Sequence, residues 1–429
     1  MHFVIIGNGV AGVTAALKIR ERERKARITI ISGESAYFFS RTALMYAYMD
    51  RLTLRDLEPY ERKMYDKQQI ERITDWVVDL DATARQLRLK SGRALAYDRL
   101  LLATGSCARK PTWKGLDEAR EGIVHFVSLQ DLQQCEQLTR STKQAVVAGG
   151  GLIGVELVEC LRFHGKRVVF LVREPWYWPV ALGRVEAEMI SDHIRRHDVE
   201  LWSDQEVAEV SVDGNGRVSG VKTAEGREFA CQLLGICIGV QPALGWLRQV
   251  ATPPQMGRGI QVSASFATSL PCVWAAGDCS EFVGTGKPVV EQIWYSAKRQ
   301  GELAALAILG DSIDYKPPIF FNSAKFFEIE YTTVGVVNQA PREAFHFCSR
   351  IPGREISIRI VEHQGAVIGF NLLGSRWNHN ELERWVSERR SLEYVIEHLD
   401  EAQFEVEFGR IDLAGVRAEY RRSRSATAL

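Results

Sequence analysis

The stretch MHFVIIGNGVAGVTAALKIR, residues 1–20, decides the reading of this chain. Residues 2–6 are a short apolar run that reads as a strand, and Gly7, Gly9 and Gly12 follow it at GxGxxG spacing. Val13 to Arg20 then read as a helix, and ARITIIS at 26–32 reads as a second strand, giving a β-α-β unit. Each glycine has a mechanical reason to be there. Gly7 supplies the backbone angles of a tight turn, Gly9 lets the backbone approach a pyrophosphate, and Gly12 lets the helix pack against the strand. The helix start offers free N–H groups and a partial positive charge to phosphates. An acidic residue is expected at the end of the second strand, where it accepts ribose hydroxyls, and Glu34 is the candidate. A solvated loop carboxylate is the plainer alternative for Glu34.

The same pattern returns further along. QAVVAGGGLIG, from Gln144, gives a strand, a turn built on Gly149, Gly151 and Gly154, and a helix start. RVVFLV at 167–172 is its second strand. A lone GxGxxG is a weak signal, but two in the required strand-turn-helix context imply two bound dinucleotides. The second unit ends at Val172, where an NAD-binding strand would carry a carboxylate, and Arg173 and Glu174 come next. Without that carboxylate a 2′-phosphate is not repelled, and Arg173 is placed to pair with it, which favours NADPH over NADH while leaving both open.

Further strands are expected at YDRLLLATG (97–105), at LLGICIGV (233–240) and at PCVWAAGD (271–278), with shorter ones around a GNG turn within 205–231. Tyr315 to Pro318 reads as a linker. Beyond it, FFEIEYTTVGVV, EISIRIVEH and AVIGFNLLG read as antiparallel strands and ELERWVSERRSLEYVIEHL as helix, so a separate α+β domain is expected. The tail RRSRSATAL reads as a frayed end.

Length and composition are consistent with this. A chain of 429 residues exceeds what one core usually organises. Lys plus Arg and Asp plus Glu number 54 each, which gives no reason to invoke nucleic acid as a partner. No basic segment followed by an apolar run opens the chain, and no run of about 18 uncharged apolar residues occurs, so a cytoplasmic protein off the membrane is expected. The eight cysteines include no CxxC pair and read as buried thiols in a reducing compartment. His193 and His197 lie four apart on a segment that reads as helix, a spacing that suits a metal, but no neighbour in sequence completes a site, so no metal is expected.

Four signatures, in this order, carry a family resemblance: GNGVAG at 7–12, LLATGS at 101–106, AGGGLIGVE at 148–156 and VWAAGDCS at 273–280, followed by EQIWYSAKRQGELAA at 291–305. The chain resembles the pyridine nucleotide-disulfide oxidoreductases. Its nearest likeness is to the branch with rubredoxin reductases, reductases of dioxygenase ferredoxins and the FAD/NAD(P) part of nitrite reductases. The resemblance is firm over about residues 1–312 and loose beyond. It implies an α/β fold of two Rossmann-like domains, one inserted in the other, plus a small C-terminal α+β domain. The FAD domain would be 1–112 and 242–312, the NAD(P) domain 113–241, and the interface domain 313–429. Gly7, Gly9 and Gly12 would hold the FAD pyrophosphate, with Gly277 and Asp278 at the ribityl chain or phosphate. Ala103, Thr104 and Gly105 would mark the crossover between domains, and Arg41 would lie along the FAD. Glu156 would sit near the nicotinamide, with Trp294 and Tyr295 lining the isoalloxazine.

Two departures from the family pattern matter. No cysteine occurs between Met1 and Ser106, so disulfide or peroxide chemistry by a cysteine near the flavin is not expected. The related ferredoxin reductases place a Lys a few residues after the Arg of the YFFSRTAL segment, where it pairs with the Glu. Here that position is Tyr46, so Glu156 would lack its partner, which would raise its pKa, alter the hydride geometry or mark a modified nicotinamide site. The resulting expectation is an FAD-dependent NAD(P)H oxidoreductase feeding a small electron-transfer protein. Two alternatives stand beside it. One is an FAD-binding subunit of a larger redox complex. The other is a quinone-type reductase at a membrane surface, resting on Phe404, Phe408, Ile411 and Leu413. The cluster Pro175–Pro179 (PWYWP) is either a cover for the nucleotide, a partner surface or local packing. The family's C-terminal domain suggests a homodimer.

Overall fold

Apolar strands too short to bury themselves explain the first sheet. The structure is a computed structural model. It describes every residue except 285, 405, 406, 408–410, 428 and 429, with backbone alone for 425–427. The strand His2–Ile6 runs parallel to Arg27–Ile31 on one side and to Arg99–Leu102 on the other. Val273–Ala275 and Ile70–Ile73 complete five parallel strands, with His2–Ile6 at the centre. Central residues such as Val4, Ile5, Leu100 and Leu101 are buried, as a parallel sheet covered on both faces requires. Helix Val10–Arg22 leaves the first strand and crosses helix Trp294–Leu309 at very short range. A Cβ on Gly301 would fall 2.3 Å from the Ala11 carbonyl oxygen, so only glycine permits this approach. The Arg20 side chain closes the far end of its helix, donating to the carbonyls of Glu23, Arg24, Ala26, Gln68 and Gln69.

The second fingerprint builds the same topology. Gln144–Ala148 lies at the centre of five parallel strands, between Arg167–Leu171 and Leu233–Ile236, with Val199–Trp202 and Ile123–Val124 at the edges. After Pro317 the strands become antiparallel, in the spatial order Phe321–Phe326, Ile329–Gly335, Ala366–Leu373, Ser357–His363, Phe345–Arg350. Their inner face and helices His379–Ser387, Leu392–His398 and Ala414–Thr427 enclose a core that includes Phe370, Trp385, Ile396 and Val416. Side chains of Asn378 and Ser391 accept from backbone N–H groups at the starts of the first two helices.

The chain divides into two compact units. One comprises Met1–Pro111, His125–Gln137 and Ile238–Pro317; the other comprises Thr112–Val124, Leu138–Cys237 and Pro318–Leu429. The C-terminal segment therefore has its own core yet shares a unit with the second fingerprint.

Three expectations are corrected. The run at 233–240 is two strands, because Cys237–Gly239 breaks it: Leu233–Ile236 stays in the second sheet, and Val240–Pro242 pairs antiparallel with Ser106–Ala108. Tyr315 is no linker residue. Its ring is buried in the first core, and its hydroxyl donates to Glu291 at 2.5 Å. The tail is helical to Thr427, with Arg421 against Glu397 and Arg424 against Glu362.

Candidate dinucleotide sites

Both glycine turns have the shape that a pyrophosphate needs. Gly7 has φ +114°, and a Cβ there would lie 2.0 Å from the Ala103 carbonyl oxygen; a Cβ on Gly12 would lie 2.0 Å from the Gly7 carbonyl oxygen. Gly9, which begins the helix, has nothing within 4 Å of where its Cβ would be. Two glycines are thus required by packing and the middle one faces open space, so the residues fit a phosphate group lying on the helix start. The second turn repeats this: Gly149 has φ +116°, Gly154 is closed by the Gly149 carbonyl at 2.0 Å, and Gly151 is open.

Around the first turn, Glu34 and Arg41 are paired with each other. Arg41 donates to both Glu34 oxygens, at 2.9 and 2.7 Å, and to the Val127 carbonyl. Glu34 also accepts from Leu129 N–H at 3.1 Å. These bonds hold the carboxylate at the loop after the second strand, as a binding residue requires. They also show that neither side chain is a plain solvated charge.

Asp278 is half-buried, but protein surrounds its carboxyl, and this desolvation pushes it above the usual range. It accepts from the Ser106 hydroxyl at 2.9 Å, and Ser106 accepts in turn from the Gln292 amide at 2.8 Å. Neighbouring Gly277 donates its N–H to Gln300 at 2.9 Å, and Gln300 reaches Glu291 at 2.8 Å. Ser106, Glu291, Gln292 and Gln300 thus form the polar support of this corner. Sequence reasoning missed them as site residues, although Ser106 ends LLATGS and the other three lie in EQIWYSAKRQG. Trp294 Nε1 is buried with no hydrogen-bond partner, and Tyr295 is exposed beside it, the two rings 5.4 Å apart. An orphaned buried donor at this place fits a ring system with acceptor atoms. Thr104 and Gly105 meet the returning chain at Ala243, whose N–H donates to the Gly105 carbonyl at 2.9 Å. Tyr46 is half-buried on the short helix Leu44–Tyr48.

In the other unit, Glu156 lies on the helix Leu152–Phe163 that the second fingerprint opens. A sliver of its surface reaches solvent, but protein surrounds the carboxyl, and its pKa is pushed up to about 7. Burial is the main cause and the charge of Glu159 adds to it, while Lys325 opposes both. Lys325 comes from the C-terminal sheet and donates to Glu159 at 2.6 Å. This cation was not apparent in the sequence, because 166 positions separate it from Glu159. Val172 is buried against the fingerprint, with Gly150 as its close neighbour. Arg173 is exposed and already flanked by carboxylates, Glu174 at 3.0 Å and Glu206 at 3.8 Å. The PWYWP cluster is packing at Tyr177 and Trp178, which meet Phe170, Phe326 and Tyr331 edge-on. Ile411 and Leu413 are buried in the C-terminal core, and Phe404 is exposed. Phe408 lies outside the described residues. Among the described residues, no helix is long and apolar enough to cross a membrane.

The family model for pyridine nucleotide-disulphide oxidoreductases matches residues 1–301. The chain belongs to this family. Among curated relatives, the ferredoxin–NAD(+) reductase component of the biphenyl dioxygenase system of Paraburkholderia xenovorans (strain LB400) is 31% identical, over 72% of this chain and 75% of its own length. The rubredoxin–NAD(+) reductase of Pseudomonas putida is 27% identical, over 76% of this chain and 84% of its own. Among solved structures, an NAD-dependent persulfide reductase from A. fulgidus superposes with a TM-score of 0.85, covering 99% of this chain and 84% of its own at 22% identity. That likeness speaks to fold, and it extends through the C-terminal segment. As a pyridine nucleotide-disulphide oxidoreductase, the chain is an oxidoreductase that uses FAD and a nicotinamide dinucleotide.

Proposed function

We propose that the protein is a reductase that takes electrons from a nicotinamide dinucleotide and delivers them to a small one-electron redox protein. The observation that carries this reading is the absence of any cysteine before Cys107, so electrons leave without passing through a disulfide beside the first glycine turn. The names of the relatives, reductases of a ferredoxin and a rubredoxin, support it. Bound FAD supplies the exchange between two-electron and one-electron chemistry. The protein's part is to position. In this reading residues 1–112 and 242–312 hold FAD, 113–241 hold the nicotinamide donor, and 313–429 form an interface domain that pairs two copies of the chain. Gly7, Gly9 and Gly12 receive one pyrophosphate and Gly149, Gly151 and Gly154 the other. Glu34, held by Arg41, accepts ribose hydroxyls. Glu156 stands near the nicotinamide with its carboxyl close to half-protonated at neutral pH, and Tyr46 replaces the family's lysine. NADH, rather than the NADPH that Arg173 suggested in the sequence, is the donor we favour, because the carboxylates of Glu174 and Glu206 beside Arg173 oppose a 2′-phosphate. The protein works in the cytoplasm.

Anaerobic stopped-flow absorbance near 450 nm, with NADH and separately with NADPH, tests this. Rapid bleaching by NADH, followed by recolouring on addition of an oxidised ferredoxin or rubredoxin, is the expected result. Bound flavin that neither nucleotide reduces would overturn the reductase reading and favour a subunit of a larger redox complex.

A further inference from the structure

His193 sits in the last turn of helix Arg184–Arg196 and His197 caps it. At spacing i, i+4 the two imidazoles share one face of the helix, their ring centroids 4.8 Å apart. The sequence offers no third ligand nearby. The fold supplies one from far along the chain, within the same unit. The hairpin of strands Phe321–Phe326 and Ile329–Gly335 turns through Phe327 and Glu328, and Phe327 takes a left-handed φ of +54°. The Phe327 ring stacks on His197 at 4.2 Å, which places the Glu328 carboxylate over the histidine pair. One oxygen, Glu328 Oε2, lies 3.1 Å from His193 Nε2 and 2.9 Å from His197 Nε2. The three ligand atoms all lie within 4.8 Å of one another.

A fourth residue sets the orientation. Glu355 meets the other nitrogen of the buried His193 ring, Nδ1, at 2.9 Å, and also holds Arg196. A neutral imidazole has a single N–H. Where that N–H is given to Glu355, the Nε2 lone pair faces the Glu328 carboxylate and a cation between the two would serve both acceptors; the same Nδ1 also lies 3.4 Å from the Arg196 guanidinium. Carboxylate on one nitrogen and an open lone pair on the other is the arrangement that orients histidine ligands towards metal ions. The end of a helix adds a partial negative charge that favours a cation.

The geometry points to a divalent metal site of His193 Nε2, His197 Nε2 and the Glu328 carboxylate, which takes a borderline ion such as Zn2+ with water completing the shell. Two imidazoles and one carboxylate suit Zn2+ better than Ca2+ or Mg2+, which prefer all-oxygen shells. Ligand atoms around tetrahedral zinc are about 3.3 Å apart. The two Glu328 distances, 3.1 and 2.9 Å, fall a little short of this, and small rotations of the exposed Glu328 and half-exposed His197 side chains open them and bring in the remaining pair. Bound there, the ion joins the helix of the second dinucleotide fold to the first hairpin of the C-terminal sheet. This site is separate from the glycine turns and does not depend on the proposed electron acceptor.

Equilibrium dialysis of the full-length, flavin-loaded protein against Zn2+, and separately Co2+, tests it, with thermal melting in parallel. The parent is a variant with exposed Cys107 and Cys348 changed to Ser, so that surface thiols do not contribute. One ion per chain is expected, with a raised melting temperature and, for Co2+, visible absorption of low-symmetry N/O coordination. His197→Ala and Glu328→Gln, both at solvent-reached positions, should each weaken binding at least tenfold and abolish the thermal shift, with circular dichroism unchanged. No stoichiometric binding by the parent, or binding that both variants retain, would overturn the site.

Discussion

Glu156 shows how far one residue's chemistry depends on its surroundings. Its carboxyl has an ordinary value of 4.5 and titrates near 7 in the folded chain, chiefly because of burial. The folded state therefore binds a proton that the unfolded state has released, and stability falls as pH rises from about 4.5 to about 7. The full effect is at most roughly 3 kcal/mol. Glu156→Gln should remove this decline, so that its urea midpoint exceeds the parent's more at pH 8 than at pH 5. Lys325 acts in the opposite direction. Removing it as Lys325→Met strands Glu159, which is mostly buried, and costs about 3 kcal/mol at pH 8. The same substitution should move the Glu156 titration upward, measurable from the pH dependence of the denaturation midpoint. The sequence pointed to a raised Glu156 pKa from the lysine missing at Tyr46. The structure gives burial as the main cause and Lys325 as a cation that motif reading had no means to find.

Among the elements, the glycine turns separate packing from binding. A methyl group on Gly301 collides with the Ala11 carbonyl and forces apart the two helices that cover the first sheet, whereas one on Gly9 meets nothing. Gly301→Ala should therefore lower the melting temperature sharply, by the several kcal/mol that overpacking a tight crossing costs, about 1–3 or more. Gly9→Ala should melt close to the parent yet lose flavin on gel filtration, because the methyl occupies the phosphate's approach. If Gly9→Ala instead retained its flavin at parental occupancy, the first turn would not be the phosphate site. The strand-turn-helix-strand pattern was readable in both units because apolar period, glycine spacing and helix start agree locally. The break at Cys237–Gly239 was not, because the apolar run continues through it and only pairing with Ser106–Ala108 shows where one strand ends and the next begins.

At the scale of the whole molecule, the C-terminal segment does not stand apart. Within its unit, Arg359 of the antiparallel sheet pairs with Glu186 at 2.8 Å, both nearly fully buried, and donates to the Ala181 carbonyl. Asn371 donates to the same Glu186 at 3.0 Å. Breaking one side of such a pair leaves a buried charge without its partner. Arg359→Met should cost about 3–5 kcal/mol. Adding Glu186→Gln should recover part of that loss, a coupling measured by a double-mutant cycle in urea. Additive losses would show that the pair contributes nothing beyond its separate side chains.

By itself the sequence determined the two dinucleotide folds, their order and the glycines that make them, because those features rest on neighbours within about thirty residues of each other. It also indicated the antiparallel character of the C-terminal segment, through strand-length apolar runs between turns. Only the tertiary structure decided which charges meet: Glu34 with Arg41, Glu159 with Lys325, Glu186 with Arg359, and the His193–His197 pair with Glu328. Electrostatic and ligand contacts act over a few ångströms in space and leave no periodic trace along the chain. Residues 130 and more positions apart become partners only once the sheets have set their register.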